Sequence, residues 1–340
     1  MKKNIFICQL GEYFDTFLPE IRNLSKNTIS AYADAFAIFF QFLNDKMKLP
    51  HHLVTYKHFT AAMFDELILW LKNERGYSAS SIRHRISAIV SFLKYASRRE
   101  MSALNAYSVA KVTDVPRSSR TCFPYFTKDE MTILLSLPNP HKYLGNRDLV
   151  LLAFLYDTAA RANELCEVCV SDVRFGKPTK IKLCGKGAKT REIPISDDVA
   201  ELLRFHLKVQ KLNVLENRPI PLFSSQTHEK MTTSCVRSIV EKYVNLAREK
   251  HPSLFNEEGY SPHSFRHSKA VHMVEAGVSL IYIRNFLGHA TIKSTEIYAC
   301  VGQEAVTKAL ANRKIPSLVE TTPISVEQQY SLPDCIANAR

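Results

Sequence analysis

Glycine is scarce in this chain, with only 10 in 340 residues, and together with 46% apolar and 23% charged residues this fits a mostly helical globular protein able to bury real cores. An export signal is missing as well. The opening MKKNIFICQLGEYF has two lysines and a short apolar run, but Glu12 and Asp15 interrupt it before an apolar stretch of about seven residues can form. No run approaches the roughly 18 apolar residues that would span a bilayer; the richest, LVLLAFLY from Leu149, has the length of a core helix. The eight cysteines, spread from Cys8 to Cys335, lack the dense framework of a small secreted domain, so reduced thiols, a cytoplasmic location and no membrane partner are expected. Cys166 and Cys169 form a CxxC with no second ligand pair nearby, which favours core packing over zinc; no metal site is expected. Acidic residues are also in deficit, 33 against 45 Lys and Arg. The resulting charge of +12 favours a polyanionic partner, nucleic acid first, although ribosomal, membrane-surface and heparin-binding proteins share such a surplus.

The length suits two domains, since single cores seldom grow much past about 250 residues. Residues 1–112 read as a helical bundle. After the N-cap candidate Ser25, Ile29, Tyr32, Phe36, Phe39, Phe40 and Leu43 recur on one helical face. A second helix carries Ile82, Ile86, Ile89, Val90, Leu93 and Ala96 inward and a basic remainder outward, from which Arg83 and Arg85 are candidates for touching phosphates. The stretch 113–126, KVTDVPRSSRTCFPYF with its flanking lysine and valine, has two prolines and no periodicity and is expected to be an exposed linker. The second domain, 127–315, restarts at a capping box of Thr127 and Glu130. Its central helix is expected from Asn146 through Ala160, and a small β-hairpin within 179–195 carries Lys186 at its turn. Residues 316–340 read as a loosely ordered tail. The fold class is therefore mainly α with a small β-hairpin or sheet, in two domains.

Three segments stand out: TAARANEL around Arg161, GKGAKTREIPI around Lys186, and SPHSFRHS with LGHATIKSTEIYA from His263 to Tyr298. Arg161, Lys186, His263, Arg266, His289 and Tyr298 supply two fixed cations, a movable cation, two imidazoles and a phenol, an inventory suited to phosphoryl transfer without a metal or other cofactor. In-line attack on a phosphodiester loads negative charge onto nonbridging oxygens, which guanidiniums answer with paired donors that stay protonated. A phenol with a solution pKa near 10 needs a base or strong electrostatic help to attack at neutral pH, and a departing sugar oxygen needs a proton, which a lysine on a hairpin turn could donate. Lys189 and Arg191 are candidates for phosphate contacts. His267 and His272 read as structural, and Tyr282 as part of an apolar helix face.

These segments resemble the boxes of the tyrosine recombinase, or phage integrase, family, from about Thr127 to Lys314. LSKNTISAYADAFAIFFQFL and YSASSIRHRISAIVSFLKYA resemble its SAM-like core-binding domain. The resemblance implies that Arg161 is the first catalytic arginine and Glu164 the acid bracing the site. It also makes Lys186 the hairpin lysine, His263 and Arg266 the HxxR pair, His289 the second histidine and Tyr298 the nucleophile. Ala159-Ala160 departs from the glycine often found before that arginine, and a small backbone adjustment is expected there. What the resemblance implies as activity is metal-independent, site-specific strand exchange on double-stranded DNA through a 3′-phosphotyrosyl intermediate. Four copies would synapse paired sites, with a second recombinase or an accessory protein as further partners. Gln303 to Arg313 resembles the C-terminal helix that family members dock on a neighbour.

The expected use is integration, excision or transposition of a mobile element, with Xer-like resolution of replicon dimers or DNA inversion as the alternative. The lack of an arm-binding extension before residue 1 argues against a large phage-integrase architecture. Two rival readings are a type IB topoisomerase-like enzyme, disfavoured by the LGH-to-Tyr spacing and the N-terminal helical domain, and a non-catalytic DNA-binding accessory factor, disfavoured by the intact residue set.

Overall fold

The computed structural model describes residues 4–116, 123–185, 189–212, 219–225, 229–289, 291–292 and 294–299, and in it the chain separates into two units between Cys122 and Phe123. The first unit is all helix: α1 (Ile5–Glu12), continued as a π-helical stretch over Tyr13–Ile21, then α2 (Lys26–Met47), α3 (Ala61–Asn73), α4 (Ala79–Ala96) and α5 (Met101–Val112). Ser25 caps α2 by accepting from the Thr28 amide, Thr60 caps α3 through Met63, and Ser78 caps α4 through Ser81. Each such cap stabilises its helix by about 1 kcal/mol. The apolar faces then meet. Phe36, Phe39 and Leu43 of α2 are buried against Ile82, Ile86, Ile89, Leu93 and Ala96 of α4 in one cluster. At its centre Phe92 makes edge-on contacts with Phe6, Tyr13 and Phe36 at ring separations of 5.4, 5.4 and 5.5 Å.

The other face of α4 is where the two arginine candidates lie, and they differ. Arg83 is exposed and donates to the Pro116 carbonyl. Arg85 is half-buried, donates to the Ser81 carbonyl and lays its guanidinium over the Tyr77 ring at 3.9 Å.

The second unit begins inside the stretch expected to be linker, and this corrects the expectation of an exposed segment reaching to 126. Phe126 is fully buried, stacks on Tyr260 at 4.4 Å, and its amide donates to Ser268 Oγ at 2.7 Å. Phe123 and Tyr125 pack against a cluster that includes Tyr298. Prolines and small polar residues dominate the sequence pattern there, but three aromatic rings decide the packing. Part of that stretch, 117–122, lies outside the described residues, as do the hairpin turn with Lys186, the segment from Gln303 to Arg313, and the tail 316–340.

From Phe126 the chain enters α6 (Lys128–Ser136) through the expected capping box: Glu130 accepts from the Thr127 amide, and Thr127 Oγ1 from the Glu130 amide. Helix α7 (Tyr143–Thr158) is the axis of the unit, with Val150, Leu151, Leu152, Ala153, Phe154 and Leu155 all buried. After it come α8 (Ala162–Glu167), strands β1 (Val173–Arg174), β2 (Lys180–Cys184) and β3 (Thr190–Pro194), then α9 (Asp197–Val209), α10 (Thr233–Lys250), α11 (Pro262–Glu275), α12 (Leu280–Leu287) and a helical turn at 294–299. The expected hairpin gains a third strand. The sheet is antiparallel in the order β1-β2-β3, and two-residue β1 is too short to leave a period in the sequence. Ile181, Leu183 and Ile193 point into the core while Lys180 and Lys182 face out. Cys166 is buried in the same core. Among the described residues no helix is long and apolar enough to cross a membrane.

Deep in this unit the imidazole of His206 lies between the Asn146 side chain at 3.1 Å and the Leu222 carbonyl at 3.2 Å. Burial, more than the nearby Arg147, lowers its pKa to about 4, against the hydrogen bond to Leu222. The folded protein thus excludes a proton that the unfolded chain takes up near pH 6.5, so this contribution is complete above pH 6.5 and is lost as pH falls from 6.5 toward 4. For this group the loss is about 3 kcal/mol. Thermal unfolding of the full chain is expected to show that decline, and His206→Gln to flatten it; an unchanged pH dependence in the variant would remove His206 as the cause.

Candidate active site

The site is assembled at the ends of elements. Helix α7 closes at Ala159 in a left-handed conformation, φ 48° and ψ 32°, where an alanine is strained by about 1 kcal/mol and a glycine is not. The anticipated backbone adjustment is therefore located: the chain accepts the strained turn. That turn delivers Arg161 to the N-terminus of α8. One helical turn on, Glu164 closes back on it, accepting from the Arg161 amide at 2.9 Å and from Nη1 at 2.8 Å. A second guanidinium reaches the same carboxylate from β3, where Arg191 donates from Nη1 and Nη2 to the two oxygens, each at 2.8 Å. Its Nε donates to the Phe286 carbonyl at the end of α12.

Gly288, which ends α12 at φ 65°, lies directly on this side chain; a Cβ there would stand 3.1 Å from Arg191 Cδ. Both the left-handed turn and the missing side chain are needed for β3 and α12 to approach this closely.

Helix α11 contributes the next group. Arg266 is buried, donating from Nη1 to the Ala159 carbonyl at 2.8 Å and from Nη2 to the Leu287 carbonyl at 2.6 Å. These bonds use two of its five N–H groups. His263 and His267 lie one turn apart on the same helix, with ring centres 6.3 Å apart; His263 is exposed and His267 half-buried. His289 follows Gly288, and its Nδ1 is 2.9 Å from Thr295 Oγ1. Tyr298, on the turn at 294–299, is buried; its ring stacks on His289 at 6.5 Å, meets Phe123 edge-on at 5.2 Å, and its hydroxyl oxygen lies within hydrogen-bond distance of His267 Nδ1, at 2.9 Å.

The electrostatics follow from crowding cations in a partly dry pocket. Burial alone would raise the Glu164 carboxyl, but the hydrogen bonds from Arg191 and the Arg161 amide, with both positive charges, bring it down to about 2. Burial and the neighbouring Arg161 depress Arg266 to about 10, still a cation at neutral pH. His267 falls to about 4 through burial, then His263, Arg266 and His289; His289 falls to about 4 through burial, then Arg266, Arg161 and Arg191. His263 is lowered by desolvation and by Arg266 and Arg161. All three imidazoles therefore hold a proton less readily than a free imidazole. Burial raises the Tyr298 phenol while Arg266 and Arg161 pull it the other way, so both guanidiniums bear on one hydroxyl.

Of the residues singled out in the sequence, Arg161, Glu164, His263, Arg266, His289 and Tyr298 come together here. Lys186 lies outside the described residues. Lys189 is exposed beside the turn, its carbonyl accepting from the Gly185 amide at 2.8 Å. Arg191 does not face outward as a phosphate contact: three of its N–H groups are engaged inside the fold and its side chain is 14% exposed. His267, read as structural, touches the Tyr298 hydroxyl. Its spacing of four from His263 puts the two on one helical face, which was the available signal.

Comparison with known proteins bears on the family and the fold. The model of the "Phage integrase family" matches residues 124–304, and that of the "Phage integrase, N-terminal SAM-like domain" matches residues 12–100. A putative integrase/recombinase, y4rC, from Sinorhizobium fredii is 28% identical over 329 residues, covering 96% of this chain and 94% of that protein. Tyrosine recombinase XerC from Syntrophus aciditrophicus is 26% identical over 299 residues, 86% of this chain and 93% of the relative. In fold, the chain is similar to the XerH site-specific recombinase bound to a palindromic difH substrate in a post-cleavage complex. The TM-score is 0.68 at 21% identity, covering 86% of this chain and 81% of that one. It is also similar to the Tn1549 transposon integrase in complex with transposon right end DNA, with a TM-score of 0.63 at 17% identity over 92% and 100% of the two chains.

Neutralising the central carboxylate tests the site's own architecture. Glu164→Gln keeps the shape but leaves two guanidiniums on an uncharged amide, and is expected to destabilise the protein by about 3 kcal/mol at pH 7 in urea unfolding. The contribution is present above pH 4.5 and fades as pH falls toward 2. A change within about 0.5 kcal/mol, the range of ordinary surface substitutions, would mean the carboxylate does not hold the site together.

Proposed function

Because this chain belongs to the phage integrase family, we propose that its site performs strand exchange with Tyr298 as nucleophile and Arg161 and Arg266 as the cations that stabilise the pentavalent phosphorus. The protein is a tyrosine recombinase, an enzyme that cleaves and rejoins DNA at recombination sites. The observation that carries the residue assignment is that two guanidiniums, three imidazoles and one buried phenol gather at one site.

The chemistry runs as two transesterifications. As the Tyr298 oxygen bonds to phosphorus, its proton passes to an imidazole. His267, whose Nδ1 lies 2.9 Å from that oxygen, is the proposed acceptor. The bond from phosphorus to the 5′-oxygen breaks, and that oxygen takes a proton from Lys186, the role the family pattern gives it. The product is a 3′-phosphotyrosyl link and a free 5′-hydroxyl. A 5′-hydroxyl of another strand then attacks and passes its proton to Lys186, the phenol leaves with the proton returned by the imidazole, and the number of phosphodiester bonds is unchanged. No high-energy co-substrate enters the balance. In the resting site the hydroxyl is turned into the fold, so engagement of DNA has to bring it to the phosphorus.

One nucleophile per chain and four strands to exchange set the working assembly at four copies on paired sites. The segment from Gln303 to Arg313 is the proposed bridge between neighbours. The exposed cations Arg83 and Lys189 are proposed phosphate contacts, where Lys and Arg fix register on a duplex without reading its sequence. Movement of a mobile element is the proposed biological use, with Xer-like resolution of replicon dimers or DNA inversion as the alternative; relatives along most of the chain include both an integrase/recombinase and Xer recombinases.

A nicked duplex carrying the recombination site separates the readings. Wild-type protein is expected to form a denaturation-resistant adduct and Tyr298→Phe none; a DNA-binding accessory factor gives none with either. Arg161→Ala and Arg266→Ala are expected to keep DNA affinity and to slow adduct formation by about 100-fold or more each. Cleavage at the wild-type rate would refute their assignment.

A further inference from the structure

We propose that Arg191 is a positioning residue for strand cleavage, which acts by holding Glu164 so that the charge of Arg161 remains available to the scissile phosphate. This rests on the reading of Arg161 as a phosphate-binding cation. Two geometric facts carry it. The first is how the Glu164 carboxylate is shared: Oε1 accepts from Nη1 of both Arg161 and Arg191, while Oε2 accepts from the Arg161 amide and from Arg191 Nη2. Arg191 holds the carboxylate with a two-pronged fork, and Arg161 gives it a single guanidinium bond.

The second is exposure. The Arg161 side chain is 37% exposed while those of Arg191 and Glu164 are 14% and 3% exposed. Of the two cations on this carboxylate, Arg161 is the one a duplex can reach.

A buried carboxylate seeks full pairing, and a planar guanidinium fork is its best partner. Remove Arg191 and Glu164 has one cation left, so the favourable arrangement is a complete fork with Arg161. That would turn the Arg161 donors inward and neutralise them. Arg191 prevents this by occupying the inner side of the carboxylate. It is held there by its bond to the Phe286 carbonyl and by Gly288, which leaves no room for any side chain between them. The same contacts join β3 to the turn that leads into His289. Lysine cannot reproduce the arrangement, because an ammonium lacks the fixed fork.

The experiment compares single-turnover cleavage of two nicked substrates, one with a normal scissile phosphodiester and one with a neutral methylphosphonate at that position. If Arg191 works by keeping Arg161 available to negative charge, Arg191→Gln and Arg191→Lys should slow the phosphodiester about 100-fold and the methylphosphonate less than about 10-fold. Arg161→Ala should show the same selectivity, and the Arg161→Ala/Arg191→Gln double variant should be no slower than Arg161→Ala alone. A variant that is merely part-unfolded loses the same fraction on both substrates, so the ratio between them survives poor folding. Equal loss on both substrates, or additive losses in the double variant, would overturn the proposal. So would weaker DNA binding with a salt slope reduced by about one, which marks a direct phosphate contact. Failure of the wild-type protein to form a Tyr298 adduct on the phosphodiester is a different result. It would sink the underlying reading, and this inference with it.

Discussion

The Glu164 carboxylate, almost wholly buried and held by two guanidiniums and a backbone amide, is the contact on which the second unit's site depends. Three positive side chains, Arg161, Arg191 and Arg266, are drawn into one partly dry pocket, and like charges there would repel strongly. A single buried anion makes the gathering tolerable. It also ties together segments far apart in the chain: the turn after α7, strand β3, and through Arg191 the end of α12.

Around that anion, backbone groups do as much as side chains. Arg266 is fixed by the carbonyls of Ala159 and Leu287, each at the end of a helix where carbonyls lack partners within the helix. The strained alanine at 159 and the left-handed glycine at 288 are the two places where the chain departs from easy conformations to aim those groups. What results is a pocket of cations fixed by the fold itself. The same cations, with burial, lower the affinity of the imidazoles for a proton. Tyr298 waits with its hydroxyl on one of them, sheltered by Phe123 from the first residues of the unit.

The first unit has another organisation. Its core is aromatic, with Phe92 at the junction of α1, α2 and α4, and its α4 presents a basic face on the far side of the same apolar stripe. One helix thus supplies packing inward and charge outward.

Much of this was legible along the chain because its causes are local. Helical spacing announced α2 and α4, the Thr127 and Glu130 pair announced a helix start, and a change of period announced β2 and β3. The residue set from Arg161 to Tyr298 was legible because phosphoryl transfer restricts which side chains can serve, and their order matches a known family. The tertiary structure decided what local pattern does not encode. Arg191 looks like any exposed strand arginine in TREIPI, yet its neighbour Glu164 lies 27 positions away, and only folding brings the pair together. His267 is one more histidine on an ordinary helix until Tyr298 is placed against it, and Phe123 to Phe126 read as linker until their rings find a core. Sequence alone determined which residue types are present, and so which chemistry is available; the fold determined which of those residues meet, since that depends on distance and burial.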